Sequence, residues 1–355
     1  MNQSHLLCII SAHIPYKYDL NSILALPDGA PYRARWREKW VQPELRARIQ
    51  ANNNSKKMLL ILRDPESERL FPLRWVNITR AQKISTVYFF EYSLKEYVFY
   101  PDAEKACIDG IDAFNSAFRS HHQEYFVSNA DSKLFVFESP IIPEISNENA
   151  EDGLTLWGRI VRTVSQIETL KGDEFLKIVS IEALGKKKEH VSNGYLQLNT
   201  KSLYSLSIFQ LIPHPHSDPP PQHSLELRAP EEHITILRTR QVAVGKYDTL
   251  TFLFRTLNLP NGAPSFLDIK QISNMISTDD PPSIYLPVYV KRRMSWKVVF
   301  KFIGTLASLW FIMKPTLPYL SSDFIHNLAI ISLILFLSDK LDYGKSLISQ
   351  LPKFK

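Results

Sequence analysis

Two apolar runs near the C-terminus, split by a proline break, restrict the fold more than any other feature of these 355 residues. Val298 to Met313 contains Lys301 as its one charge, and Phe324 to Leu337 carries His326 and Asn327 near its start. Between them, Lys314-Pro315-Thr316-Leu317-Pro318 interrupts any helix, because a proline supplies no backbone N–H. At a rise of about 1.5 Å per residue each run spans roughly 21–24 Å. The hydrocarbon core is about 30 Å thick, so flanking residues from Ser295 and from Leu317 must extend both helices.

A pair of core helices in a soluble domain would show one apolar stripe, whereas these runs are apolar on all faces. Trp296 and Tyr319 stand where interfacial aromatics sit, and Trp310 lies within the first run. Lys301 is close enough to the helix start to snorkel. Gly304 and Ser308 provide the small-xxx-small spacing that lets helices approach closely. The expectation is a two-helix transmembrane hairpin over 291–340 with a basic tail over 341–355.

Charge orients this hairpin. Residues 283–355 hold 10 Lys and Arg against 3 Asp and Glu. Lys291, Arg292, Arg293 and Lys297 precede the runs, and Lys340, Lys345, Lys353 and Lys355 follow them. The connecting loop has only Lys314 and Asp323. The positive-inside tendency then places both ends, and the body before them, in the cytoplasm. Met1 to His5 lacks Lys and Arg, so the apolar run Leu6 to Ser11 reads as a first strand rather than an export signal. Cys8 and Cys107 alone rule out a disulfide scaffold.

The body is expected to be mainly β with α+β character. An N-terminal α+β domain over 1–140 has candidate strands at Leu6–His13, Tyr32–Val41, Lys57–Leu62, Leu70–Val76, Thr86–Tyr92, Tyr97–Tyr100 and Leu134–Phe137. Pro101-Asp102 supplies a breaker and N-cap for a helix that buries Cys107, Ile111, Phe114 and Phe118. Residues 141–153 read as a linker, and a short helix lies between Leu154 and Leu170. A β-sandwich-like domain then fills 154–290, with turns at Ser192-Asn193-Gly194, Gly245-Lys246 and Asn261-Gly262.

One segment carries a candidate site. In Tyr32 to Trp40 a strand's period of two puts Arg33, Arg35, Arg37 and Lys39 on one face, with Tyr32, Ala34, Trp36 and Trp40 on the other. A row of guanidinium groups suits phosphate, so a nucleotide or nucleic acid is a natural partner. The alternative is a solvated sheet face whose cations pair with the acidic segment 101–150, where 9 Asp and Glu face 3 Lys and Arg.

His214, His216 and His223 punctuate a proline-rich loop. They have spacing for a metal but no evident fourth ligand, so no cofactor is expected. Residues 1–355 contain no G-x-S-x-G, H-E-x-x-H, G-x-G-x-x-G or C-x-x-C.

The sequence therefore reads as a membrane-anchored binding protein, with membrane lipids and a protein partner, self-association or an anionic signal as its partners. This layout resembles that of membrane-acting effectors in prokaryotic defence, a resemblance of architecture alone. A membrane-tethered metal-dependent hydrolase and a soluble subunit with a buried helical pair are the competing readings.

Overall fold

The computed structural model describes residues 5–11, 17–51, 56–123, 134–143, 153–184, 191–192, 195–214, 223–243, 246–259, 262–273 and 283–291. The hairpin, including Trp296, Lys301, Gly304, Ser308, Trp310 and Tyr319, lies outside them. Among the described residues no helix is long and apolar enough to cross a membrane.

Among the described residues the chain is mainly β, with three sheets and few helices. The first element, β1 (His5–Ser11), reads Leu-Leu-Cys-Ile-Ile through its centre, and all five side chains are buried. Such an unbroken apolar run belongs to an inner strand covered on both faces. It is followed by α1 (Lys17–Ala25), β2 (Pro31–Arg37), α2 (Pro43–Ala51) and β3 (Lys56–Arg63). Strand β3 pairs parallel to β1, from Leu6 opposite Met58 to Ser11 opposite Arg63.

A long hairpin of β4 (Leu70–Ile84) and β5 (Val87–Tyr97) comes next, turning at Ser85 with φ 56°. Helix α3 (Glu104–His121) and β6 (Val136–Ser139) complete a six-stranded sheet of order β2-β5-β4-β3-β1-β6. Strand β2 lies at one edge of this sheet.

Several expectations shift. The strand expected over Tyr32–Val41 stops at Arg37, because Glu38–Trp40 form a 3-10 turn. Strand β4 runs on past Val76 to Ile84 along its ladder with β5, with Arg80, Gln82 and Ile84 exposed and Lys83 bonded to Glu38. Tyr97 ends β5 rather than opening a strand of its own. Asp102 does not cap α3: the cap position is Ala103, with no side-chain hydrogen bond, and Asp102 pairs with Arg159. Cys107, Ile111, Phe114 and Phe118 are buried, as the helical spacing requires.

Helix α4 (Gly153–Val164) begins at the last residue assigned to the linker, and it buries Trp157, Ile160, Val161 and Val164. A 3-10 turn, Glu168–Leu170, follows it.

The remaining strands are β7 (Phe175–Ala183), β8 (Val191–Ser192), β9 (Tyr195–Asn199), β10 (Leu203–Leu211), β11 (His223–Arg228), β12 (Ile234–Ile236), β13 (Arg240–Ala243), β14 (Tyr247–Thr256), β15 (Ala263–Ser273) and β16 (Ser283–Lys291). They form two sheets, β12-β14-β10-β7 and β13-β11-β15-β16-β9-β8. From β10 to β15 the chain alternates between them, as in a sandwich. Alternation in sequence matches alternation in burial: Leu250, Phe252 and Phe254 point inward on β14, while Thr249, Thr251 and Arg255 are exposed. Of the three expected turns, only the one after Ser192 joins hairpin partners, β8 and β9. Those before β14 and β15 carry the chain from one sheet to the other.

The N-terminal sheet and the sandwich share one continuous apolar core. A polar network ties them together. Arg74 of β4 is fully buried and donates to the Ile23 and Leu26 carbonyls at 2.8 and 2.7 Å, to the Lys95 carbonyl at 2.5 Å and to Asp28 at 2.5 Å. It thereby satisfies carbonyls that the end of α1 leaves without helical partners. Its guanidinium lies 4.4 Å from the centre of the Tyr97 ring, and Lys177 of β7 lies 4.3 Å from it. Lys177 also donates to the Tyr97 hydroxyl at 2.5 Å.

Candidate anion-binding strand and adjoining cleft

Strand β2 presents Arg33, Arg35 and Arg37 in a row, all exposed, while Trp36 is buried and Tyr32 and Ala34 are half-buried on the opposite face. Period-two geometry on an edge strand produces this directly. The apolar side is fixed by aromatic packing: Trp36 stacks on Phe135 at 5.4 Å, Trp40 meets both, and Tyr32 stacks on Tyr92 at 6.2 Å. The Tyr32 hydroxyl donates to Asp19 of α1 at 2.6 Å. Burial raises the Asp19 carboxyl above its ordinary range, while that bond and the Arg35 charge oppose the shift.

Lys39 falls in the 3-10 turn, not on the strand, though it is also exposed. Its ammonium and the Arg37 guanidinium lie 5.9 and 5.5 Å from the centre of the Trp40 ring. The expected row of four on one strand is therefore three arginines with a lysine beyond the strand end.

The carboxylates beside this face come from β5 and the 3-10 turn rather than from 101–150. Arg33 pairs with Glu91 of β5 at 2.8 Å. Glu38 accepts from Lys83 at 2.6 Å, which holds its carboxyl below the usual range. From the acidic segment, Asp112 pairs with Arg69 and Asp102 with Arg159. Among the described residues no ion pair forms to Arg35 or Arg37.

The register continues the row across the sheet: Arg33 lies opposite Glu91, and Glu91 opposite Arg80 of β4. Beside this rung opens a cleft of about 1170 Å³. Its near wall holds Arg33, Arg80, Gln82, Glu91 and Ser93, with Ser22 from α1. Its far wall is the outward side of β15 and β16, with Pro264, Phe266, Tyr285 and Pro287. The Phe266 and Tyr285 rings are 5.3 Å apart and are 38% and 53% exposed. Sequence reading missed this wall. Its signal was present as aromatic residues at the outward positions of alternating strands, where polar residues are the rule.

The three histidines of the proline-rich loop are only partly described. His214 is exposed, His216 lies outside the described residues, and His223 opens β11. Among the described residues no three His, Cys, Asp or Glu side chains are grouped to hold a metal. Cys107 is buried, 3.5 Å from the Thr163 hydroxyl, and burial raises its thiol above the ordinary range. Cys8 is pushed up to about 12 for the same reason, so neither thiol is a ready nucleophile.

No protein-family model matches the sequence, and no curated protein does. Solved structures resembling parts of it include SSP-19, an MSP-domain protein-like family member of Caenorhabditis elegans, at 8% identity and TM-score 0.19, covering 27% of this chain and 94% of that one. Another is the CsuC–CsuE chaperone–tip adhesion subunit complex of Acinetobacter baumannii pili, at 5% identity and TM-score 0.20, covering 28% and 54%. A third is a GH5 xyloglucanase of Bacteroides ovatus, at 10% identity and TM-score 0.18, covering 32% and 19%. Likenesses at these scores assign neither a fold family nor an activity.

Proposed function

We propose that this chain is a membrane-anchored, non-enzymatic binding protein whose β-rich body receives an anionic partner on the basic face of β2. The observation that carries this reading is the exposed row Arg33, Arg35 and Arg37 on an edge strand. The planar guanidinium fork matches phosphate or carboxylate oxygens bidentately, so little freedom is lost per hydrogen bond formed.

The anchor is the hairpin read from the sequence, with both ends on the cytoplasmic side of an inner membrane. Strand β16 ends at Lys291, and Arg292 and Arg293 follow it directly. A basic segment there suits anionic headgroups. The architectural resemblance to effectors of prokaryotic defence belongs to the same proposal, with clustered hairpins disturbing the bilayer.

The test is retention of the full-length protein, in detergent, on a phosphate-bearing resin. Reversing Arg33, Arg35 and Arg37 to Glu should lower the eluting salt markedly. Reversing the exposed Arg238, Lys246 and Arg255 of the sandwich changes the charge equally and should lower it far less. Equal shifts would reject the strand as a site.

A further inference from the structure

We infer that the cleft beside β2 binds a phosphodiester-linked dinucleotide unit, with its phosphate on the Arg33–Glu91–Arg80 rung and a base on the Phe266–Tyr285 pair. The inference rests on the reading of the β2 face, with which it shares Arg33. The two walls differ in chemistry as the two halves of a nucleotide do. One wall offers guanidinium groups and the hydroxyl or amide groups of Ser93 and Gln82; the other offers two exposed aromatic rings 5.3 Å apart. Aromatic side chains in contact with solvent are the usual platform for a base, whatever its identity.

Charge and volume select among nucleotides. Glu91 offsets one of the two arginines, so the rung contributes a net charge of one. That suits a phosphodiester, which carries a single negative charge, better than the several charges of a nucleoside triphosphate. The volume of about 1170 Å³ lies at or above the upper end of the roughly 300–1,000 Å³ of ordinary small-ligand sites. A dinucleotide unit fills such a space more fully than one nucleotide. The unit is either a free dinucleotide or part of a strand, and the chemistry at the cleft is the same.

The experiment is equilibrium dialysis of the full-length protein in detergent against three radiolabelled probes: mixed linear ribodinucleotides, a mixed-sequence ribo-oligomer, and ATP. Dinucleotides should bind more tightly than ATP. Phe266→Ala and Tyr285→Ala should each weaken that binding about tenfold, as the loss of a base-stacking contact does. Arg80→Gln should weaken it several-fold, while Arg238→Glu, exposed on the sandwich and outside the cleft, should leave it unchanged. All four positions are exposed, and unchanged melting midpoints verify that each variant is folded.

An oligomer that binds more tightly than the dinucleotide assigns the unit to a strand, and equal binding assigns it to a free ligand. Tighter binding of ATP, absence of dinucleotide binding, or indifference to both aromatic substitutions would overturn the inference. If only the aromatic substitutions are silent while reversal of the β2 arginines still lowers resin retention, the cleft fails and the strand stands.

Discussion

Glu174, at the start of β7, is buried, and burial alone raises its carboxyl to about 8. In the unfolded chain the same group ionises near 4.5. Between those values the unfolded state releases a proton that the folded state keeps. Its effect on stability is therefore nil below about 4.5, and grows as a penalty of about 1.4 kcal/mol per pH unit up to about 8. Glu174→Gln removes the ionisation. In chemical denaturation the variant should gain about 3–4 kcal/mol more at pH 8 than at pH 5, relative to the native chain. An equal change at both values would show that the carboxyl is ionised in the fold. Arg74 is a contrasting case at this scale: a buried guanidinium whose donors are met by the Ile23 and Leu26 carbonyls at the end of α1 and by Asp28.

At the scale of elements, the crossing from β14 to β15 depends on Gly262, whose φ is 71°. A Cβ there would also sit 2.8 Å from the Val290 carbonyl on β16. Gly262→Ala should cost about 2 kcal/mol, from the left-handed backbone and the displaced strand end together. A thermal-unfolding midpoint unchanged in Gly262→Ala would contradict that geometry. The same elements show what a sequence discloses. Strands with strict alternation, such as Leu250, Phe252 and Phe254 on β14, were legible because burial and period coincide. The turn after Arg37 was not, because Trp40 keeps the strand's apolar phase while the backbone has already left it. Helices α1 and α2 also escaped notice. α1 is short and buries Leu20, Ile23, Leu24 and Ala25, and the start of α2 is signalled chiefly by Pro43 at its first position. The basic face was legible residue by residue, but the cleft was not. It is made by pairing Arg33 with Arg80 across Glu91 and setting them near Phe266 and Tyr285, more than 170 positions further along.

At the scale of the whole molecule, the proposed reading gives the body and the apolar C-terminal runs different solvents to satisfy. The body buries its apolar residues in one core spanning three sheets, and β16, a wall of the cleft, ends five residues before Trp296. A ligand held against Tyr285 thus contacts the strand that leads to the runs at 298–313 and 324–337. The account stands on those runs being integral to a bilayer. The direct test is fractionation of the full-length chain and a chain ending at Lys291, each washed with high salt and then alkaline carbonate. The full-length chain should remain in the membrane pellet and the shortened one should be released. Release of both would contradict membrane anchoring and make residues 296–338 a helical pair buried against protein.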